Sequence, residues 1–394
     1  MISHRNNIII ILLTLMLVKI TQAQTVIFGT NNYTEYQIGT LPIVISVSHG
    51  GNLEPASIPN RTCNNPVYAV DANTIETALE VKNKLFDLTG CYPHLIISHL
   101  KRNKLDPNRN LADGACGNPE AEIAWQEFHD FIATARQSAN LEYNGNTFFF
   151  DLHGHGNSVQ RIELGYLLYD DELELPDNTL NTIQYINFSS IKNLATNNAN
   201  SFTHAELLRG PYAFGTLLSN RNYPSVPSQS IPFPGINSNY FSGGYITANH
   251  TCYHPNAPIN GLQMELNYFN LRDAPANISA FARAFAEAVI EYMNTHFNMV
   301  WSSCSPLSIN NPSSNYSFSI YPNPITQGDL IHVNFPIKAS YKYEIINLAG
   351  KLIDKGVVAL DGTIDTNKLN TGLYLIKIFN KASIEFKTMK IVIY

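Results

Sequence analysis

The chain has 394 residues, 14% of them charged, and a formal net charge of -6. That length is enough for two or three domains with a sizeable core. The mild acidic balance, with no basic patch or Lys/Arg run, excludes a nucleic-acid-binding surface.

The N-terminus reads as a secretory signal at residues 1–23. His4 and Arg5 give a short basic start, residues 8–18 an apolar core, and Thr21-Gln22-Ala23 small residues before a cleavage point. The mature chain is expected to begin near Gln24. The apolar run is too short to span a bilayer, and no other stretch qualifies, so a soluble exported product is expected. Five cysteines remain: Cys63, Cys91, Cys116, Cys252 and Cys304. In an exported protein some should pair, and the first three can supply one bridge.

Residues 41–47 form a β-branched apolar strand that ends in His49-Gly50-Gly51, with Glu54 five residues after the histidine. Residues 71–90 read as a helix with an apolar stripe, capped by Asp71 or Asn73 and stopped by Gly90. A strand at residues 93–100 follows, then a dense polar loop, Lys101-Arg102-Asn103-Lys104-Leu105-Asp106-Pro107-Asn108-Arg109-Asn110. Arg102 and Arg109 can each grip a carboxylate bidentately, and Asp106 can lock one of them; the plainer alternative is a solvated charged loop. Residues 119–139 read as a second amphipathic helix. Helices between strands imply crossovers and a largely parallel sheet.

The organising stretch is Phe148-Phe149-Phe150-Asp151-Leu152-His153-Gly154-His155. It reads as a buried strand ending at His153, where ligands bind in open α/β sheets. Two strand-end histidines, His49 and His153, with the nearby Glu54, make the three-ligand, open-position pattern of catalytic zinc. Asp151 is placed to orient His153 from behind, and His155 is an alternative to it. Residues 164–169 continue a β pattern and residues 180–194 read as a helix. Long Asn/Ser/Pro-rich loops then run to residue 253, with Gly243-Gly244 in a segment of the kind that forms lids or binding loops. His250 and His254 are further candidate ligands. In Gly261-Leu262-Gln263-Met264-Glu265-Leu266-Asn267 apolar and polar residues alternate. The helix at 274–296 covers that strand, so Glu265 should be buried and is the candidate general base.

In this order the motifs His49-Gly50-Gly51-Asn52-Leu53-Glu54-Pro55, Asp106-Pro107-Asn108-Arg109, Asp151-Leu152-His153-Gly154-His155 and Gln263-Met264-Glu265-Leu266-Asn267 resemble the N-formylglutamate amidohydrolases. That family belongs with the zinc carboxypeptidase, aspartoacylase and poly-γ-glutamate hydrolase folds. The resemblance covers residues 41–296. It implies zinc held by His49, Glu54 and His153, and Glu265 as the base. It also implies that Arg102, Asn108 and Arg109 bind a substrate carboxylate or polarise the scissile carbonyl. The secretion signal and the long loops depart from that family and point away from formylglutamate itself.

Residues 302–315 are a Ser/Asn/Pro linker, and residues 316–394 contain no Arg but recurrent short apolar strands. Tyr321-Pro322-Asn323-Pro324, Asn347-Leu348-Ala349-Gly350-Lys351, Gly372-Leu373-Tyr374-Leu375 and Lys390-Ile391-Val392-Ile393 resemble the C-terminal sorting domain of the type IX secretion system. That likeness implies a partner, the secretion machinery, and a product at the cell surface or in the medium.

The expectation is therefore an α/β catalytic domain at residues 24–301, three-layered (αβα) with a mostly parallel mixed sheet of zinc-exopeptidase type, followed by an all-β sandwich. The expected activity is zinc-dependent hydrolysis of an amide in a small acidic N-acyl amino acid or peptide. The alternatives are a carboxypeptidase, a γ-glutamyl or cell-wall peptide hydrolase, and a non-catalytic surface binding protein. No Gly-x-Ser-x-Gly elbow is present, which disfavours a serine hydrolase.

Overall fold

The computed structural model describes residues 24–235, 238–299, 301, 319–334, 341–347, 351–359, 361–380 and 386–393. The expected signal at 1–23, the linker at 302–315 and Cys304 lie outside the described residues. The chain divides into two compact units, Met1–Ser305 and Pro306–Tyr394.

The first unit is built on an eight-stranded sheet with the order β1-β2-β4-β3-β5-β8-β6-β7. Its strands are β1 (Val26–Phe28), β2 (Thr34–Gln37), β3 (Ile43–Val47), β4 (His94–Ser98), β5 (Phe148–His155), β6 (Ile162–Gly165), β7 (Ser225–Val226) and β8 (Asn260–Asn267). The central strands β4, β3, β5 and β8 run parallel. β1 and β2 pair antiparallel beside them, and β6 lies antiparallel to β8. The long helices are α1 (Thr74–Thr89), α2 (Pro119–Glu142) and α3 (Pro275–Phe297).

The pleat sorts the apolar residues between two faces. Ile43, Ile45, Phe148, Phe150, Leu262 and Met264 pack with Val81 and Leu85 of α1 and Phe281 and Phe285 of α3. Val44, Ile96 and Phe149 face the other way, onto Phe128, Ile132 and Ala135 of α2. Helices thus cover both faces, and β3, β4, β5 and β8 are buried nearly throughout, as parallel strands require. Two strand ends therefore come side by side: His153 on β5 pairs with Glu265 on β8.

Some expected boundaries move. α1 begins at Thr74 behind Asn73, so Asp71 is left outside the helix. The expected helix at 180–194 is broken into short pieces, Asp177–Leu180, Ile183–Phe188 and Lys192–Thr196. β6 starts at Ile162, two residues ahead of its expected position. Cys63 and Cys116 form a disulfide, and Cys252 is buried and free.

The second unit is antiparallel throughout its named strands. One sheet joins β9 (Ser319–Tyr321), β10 (Leu330–Asn334) and β13 (Thr363–Asp365). The other joins β11 (Tyr341–Asn347), β12 (Leu352–Val357), β14 (Gly372–Asn380) and β15 (Phe386–Ile393). Ile331, Val333 and Ile364 of the first share one core with Ile345, Ile376, Ile378 and Ile391 of the second, which makes a small sandwich.

Candidate metal centre

His49, Asp71 and His153 converge at the carboxyl edge of the parallel strands, all three buried, with one ligand-capable atom from each within 4.8 Å of the others. The Nδ1 atoms of the two histidines are 3.1 Å apart, and each is 3.4 Å from Asp71 Oδ2. Donor atoms held at zinc distances of 2.0–2.1 Å around a tetrahedral centre are themselves about 3.3–3.4 Å apart. The spacing fits that geometry.

Local structure fixes the rings. His49 follows β3, and its Nε2–H donates to Asp106 Oδ1 at 2.7 Å. His153 Nε2–H donates to Asp151 Oδ2 at 2.9 Å, and the other Asp151 oxygen accepts from the Ser46 hydroxyl at 2.7 Å. With both Nε2 atoms committed as donors, both Nδ1 lone pairs face the anionic Asp71 oxygen. Three acceptors meeting in a buried site need a shared cation or a proton. Asp71 feels this directly: burial pushes its carboxyl up, but the closeness of His153 and His49, which hold the shared proton when no cation is present, outweighs burial and keeps it well below the usual range. For His153, burial opposes protonation, but Asp151 and Asp71 more than offset it and raise the imidazole well above its ordinary pKa. A carboxylate stands behind each histidine, an arrangement that orients imidazoles where they hold metals.

The third member of the cluster, and its acidic one, is Asp71 and not the expected Glu54. Glu54 is on the exposed side of its loop, bonded to Lys101 Nζ and, at 3.0 Å, to Asn103 Nδ2. Asp71 was masked by its position before a helix, where an Asp reads as a cap. Its N–H instead bonds to the His49 carbonyl at 3.0 Å, and its Oδ2 accepts from Gly154 N–H at 3.1 Å.

A cleft of about 290 Å³ opens onto the cluster and is lined also by Arg102, Asn108, Gln263 and Glu265. Glu265 is 6% exposed, with Oε1 accepting from Gln263 Nε2 at 3.0 Å. Burial pushes its carboxyl up to about 8, with Asp71 and Glu163 adding to the shift and His153 and Arg102 opposing it. The far wall is Tyr240, Phe241, Ser242, Gly243 and Gly244, the Gly-Gly segment singled out in the sequence. The Gly244 backbone packs so closely on the Asn108 side chain that a Cβ there would lie 2.4 Å from Nδ2. Asn108 Oδ1 accepts from Ile246 N–H at 2.9 Å, so its Nδ2 is the donor left for the cleft.

The remaining candidates separate. Asp106 is buried and holds His49, with Arg102 Nε at 3.1 Å and Arg61 Nη2 and Arg109 Nε each at 3.5 Å from its Oδ2. Burial raises its pKa, but His49 and the arginines outweigh this and keep it ionised. Arg109 does not line the cleft; its Nη1 and Nη2 bond to the Asn64 and Asn65 carbonyls at 3.0 and 3.3 Å. His155 lies outside the cluster, its ring tied to the Arg161 carbonyl and the Asn157 N–H. His250 is stacked on His129, and His254 Nδ1 accepts from Asn256 N–H; neither joins the centre.

Comparison with known proteins bears on the other end of the chain. The family model of the secretion system C-terminal sorting domain matches residues 319–394. These residues are a type IX sorting domain. The protein is exported to the cell surface or the medium by that route and engages its secretion machinery. Among the described residues no helix is long and apolar enough to cross a membrane. No curated protein matches the chain. Of solved structures, PorZ, a surface component of the type-IX secretion system of Porphyromonas gingivalis, is 17% identical with a TM-score of 0.17, over 20% of this chain and 11% of its own. A Cellulomonas fimi endo-beta-1,4-mannanase double mutant is 13% identical with a TM-score of 0.15, over 68% of this chain and 58% of its own.

Proposed function

We propose that residues 24–301 form an exported zinc-dependent amidohydrolase that acts on an amide in a small N-acyl amino acid or peptide carrying a carboxylate. The observation that carries this reading is the convergence of His49 Nδ1, His153 Nδ1 and Asp71 Oδ2 at 3.1–3.4 Å, with Glu265 in the same cleft. The parallel sheet with its site at the strand ends agrees with a zinc-exopeptidase-like fold and with the resemblance to N-formylglutamate amidohydrolases.

His49, Asp71 and His153 would hold the metal. When bound, zinc supplies a Lewis acid for the carbonyl and a lowered pKa for water, and its charge draws the neighbouring Glu265 carboxyl down. Glu265 would take on Oε2, its Oε1 being held by Gln263, the proton of the water that attacks the amide carbon, and pass it to the amine as the C–N bond breaks. Arg102 and the Nδ2 of Asn108 line the same cleft and orient the substrate carboxylate or the developing oxyanion. Arg102 is the cationic side chain that lines the cleft, and its guanidinium suits a carboxylate on the substrate.

The test is hydrolysis of a panel of N-formyl, N-acetyl and N-succinyl amino acids and γ-glutamyl dipeptides by the purified full chain. Turnover that chelation abolishes and zinc restores supports the reading. Turnover that survives complete removal of metal contradicts it.

A further inference from the structure

The segment at residues 54–68 supplies no residue to the metal cluster, yet it carries the most deeply buried guanidinium beside it. Arg61 is 1% exposed. Its Nε donates to the Arg102 carbonyl at 2.9 Å, Nη1 to the Asp113 carbonyl at 3.1 Å and Nη2 to the Val67 carbonyl at 2.8 Å. Nη2 also reaches Asp106 Oδ2 at 3.5 Å, while the opposite oxygen of Asp106 takes the Nε2–H of His49. Burying a guanidinium is expensive unless its donors are met, and here they are met by groups that frame one carboxylate.

Three arginines approach Asp106, but their surroundings differ. Arg102 and Arg109 are 18% and 28% exposed at the side chain, and Arg61 is 1% exposed. Solvent weakens the first two contacts and leaves the third at nearly full strength. Arg102 Nε and the Asn108 N–H bond Asp106 at 3.1 Å, and Arg61, at 3.5 Å but shielded from water, backs the carboxylate from the buried side, while Asp106 sets the His49 ring so that Nδ1 faces Asp71 and His153.

Cys63, two residues on, is bonded to Cys116. Cys116 closes the short helix Leu111–Ala115, whose Asp113 carbonyl is one of the Arg61 acceptors. Disulfide and guanidinium thus join the same two loops, and the Tyr68 hydroxyl adds a bond to the Arg61 carbonyl.

We propose that Arg61 is a positioning residue for the metal-ligating face of His49, acting through Asp106, and that the Cys63–Cys116 bridge keeps it in place. The proposal rests on the metal reading of His49, Asp71 and His153. It assigns a role in that site to a loop that contributes no ligand to it.

The experiment uses the full chain as wild type, Arg61→Met, Arg61→Lys and the double variant Cys63→Ser/Cys116→Ser. Two quantities are read: the zinc dissociation constant by chelator competition, and the Nε2-bound proton of His49 in metal-free protein by ¹⁵N NMR. Removing the support of a ligating histidine typically weakens metal binding by about 10–100-fold. Arg61→Met should weaken zinc binding in that range and lose the protected His49 proton. Arg61→Lys, which keeps the charge but not the fork, should fall between it and wild type, and the cysteine variant should move both readings in the same direction. If Arg61→Met does not fold, the Lys and cysteine variants carry the same two readings. A purely structural role would lower the melting temperature and leave zinc affinity and the His49 proton unchanged, which overturns the proposal. Should wild type bind no zinc, the metal reading fails by itself. The His49 proton then decides: loss in the variants upholds the positioning role and retention overturns it.

Discussion

Asp151 and His153 stand two residues apart on β5, on one face of the strand, with the carboxylate accepting the imidazole Nε2–H at 2.9 Å. The bond fixes the tautomer and turns Nδ1 toward His49 and Asp71. Because the register pairs Ser46 with Asp151, the Ser46 hydroxyl holds the carboxylate from the neighbouring strand. Asp151→Ala should therefore reduce metal affinity by about 10–100-fold without abolishing it. Chelator competition measures this; an unchanged dissociation constant would remove Asp151 from the site.

Glu265 reaches the cleft but does not join the His49–Asp71–His153 cluster. Glu265→Gln should keep its metal and its fold while turnover falls by about 10²–10⁴-fold, the usual contribution of a general base. The check is parallel metal analysis and steady-state kinetics. Loss of metal in this variant would make Glu265 a ligand instead.

The two arginines of the polar loop should now differ. Arg102 lines the cleft, while Arg109 is engaged by the Asn64 and Asn65 carbonyls. A hydrogen bond to a charged group is worth roughly 1.5–3 kcal/mol, so Arg102→Ala should lower kcat/KM by about ten- to a hundredfold on a carboxylate substrate. Its effect on the corresponding carboxamide should be smaller. Arg109→Ala should act on both substrates alike, and mainly through stability. Equal selectivity in wild type for acid and carboxamide would rule out a carboxylate contact.

Buried neutral histidines set an acid limit on stability. Burial lowers the pKa of both His94 and His129 to about 4 and holds that of His250 well below its ordinary value. His94 Nδ1 already accepts from the Tyr36 hydroxyl and Gly39 N–H, so protonating it would break both bonds. The unfolded chain takes up these protons near pH 6.5, the folded chain only near pH 4. Between those values the unfolded state binds more protons, so stability should fall as the pH drops from about 6.5 to about 4. A shift of this size corresponds to about 3 kcal/mol for His94 alone. The raised pKa of His153 does not offset this loss, since its contribution is already complete below pH 6.5 and is lost only at higher pH. Urea denaturation of metal-free protein at several pH values gives the slope, which His94→Phe should flatten.

The legible parts of the sequence were those where one pattern had one physical solution. Residues 43–47 and 148–152 are apolar but for Ser46 and Asp151 and read as buried strands, and the structure has His49 and His153 together at one sheet edge. Burial of Glu265 followed from a strand covered by a helix. Asp71 was not legible, because an acidic residue before a helix has a local use as a cap, and only tertiary structure shows that Asn73 occupies that position. Glu54 misled for the complementary reason: closeness to His49 in sequence suggested a shared site, but Lys101 and Asn103 draw its carboxylate outward. Both loop arginines were expected at the site, Arg102 at the oxyanion and Arg109 on the substrate carboxylate, and what draws Arg109 away is the backbone of residues 64–65, which is remote in the chain.

The proposed function requires that His49, Asp71 and His153 hold one metal ion. Its most direct test is the metal content of the purified full chain, determined by mass spectrometry for wild type, Asp71→Ala and Glu54→Ala. One zinc per chain is predicted for wild type and for Glu54→Ala, and near none for Asp71→Ala. Wild type without stoichiometric metal after zinc reconstitution, or Asp71→Ala retaining it in full, would contradict the account.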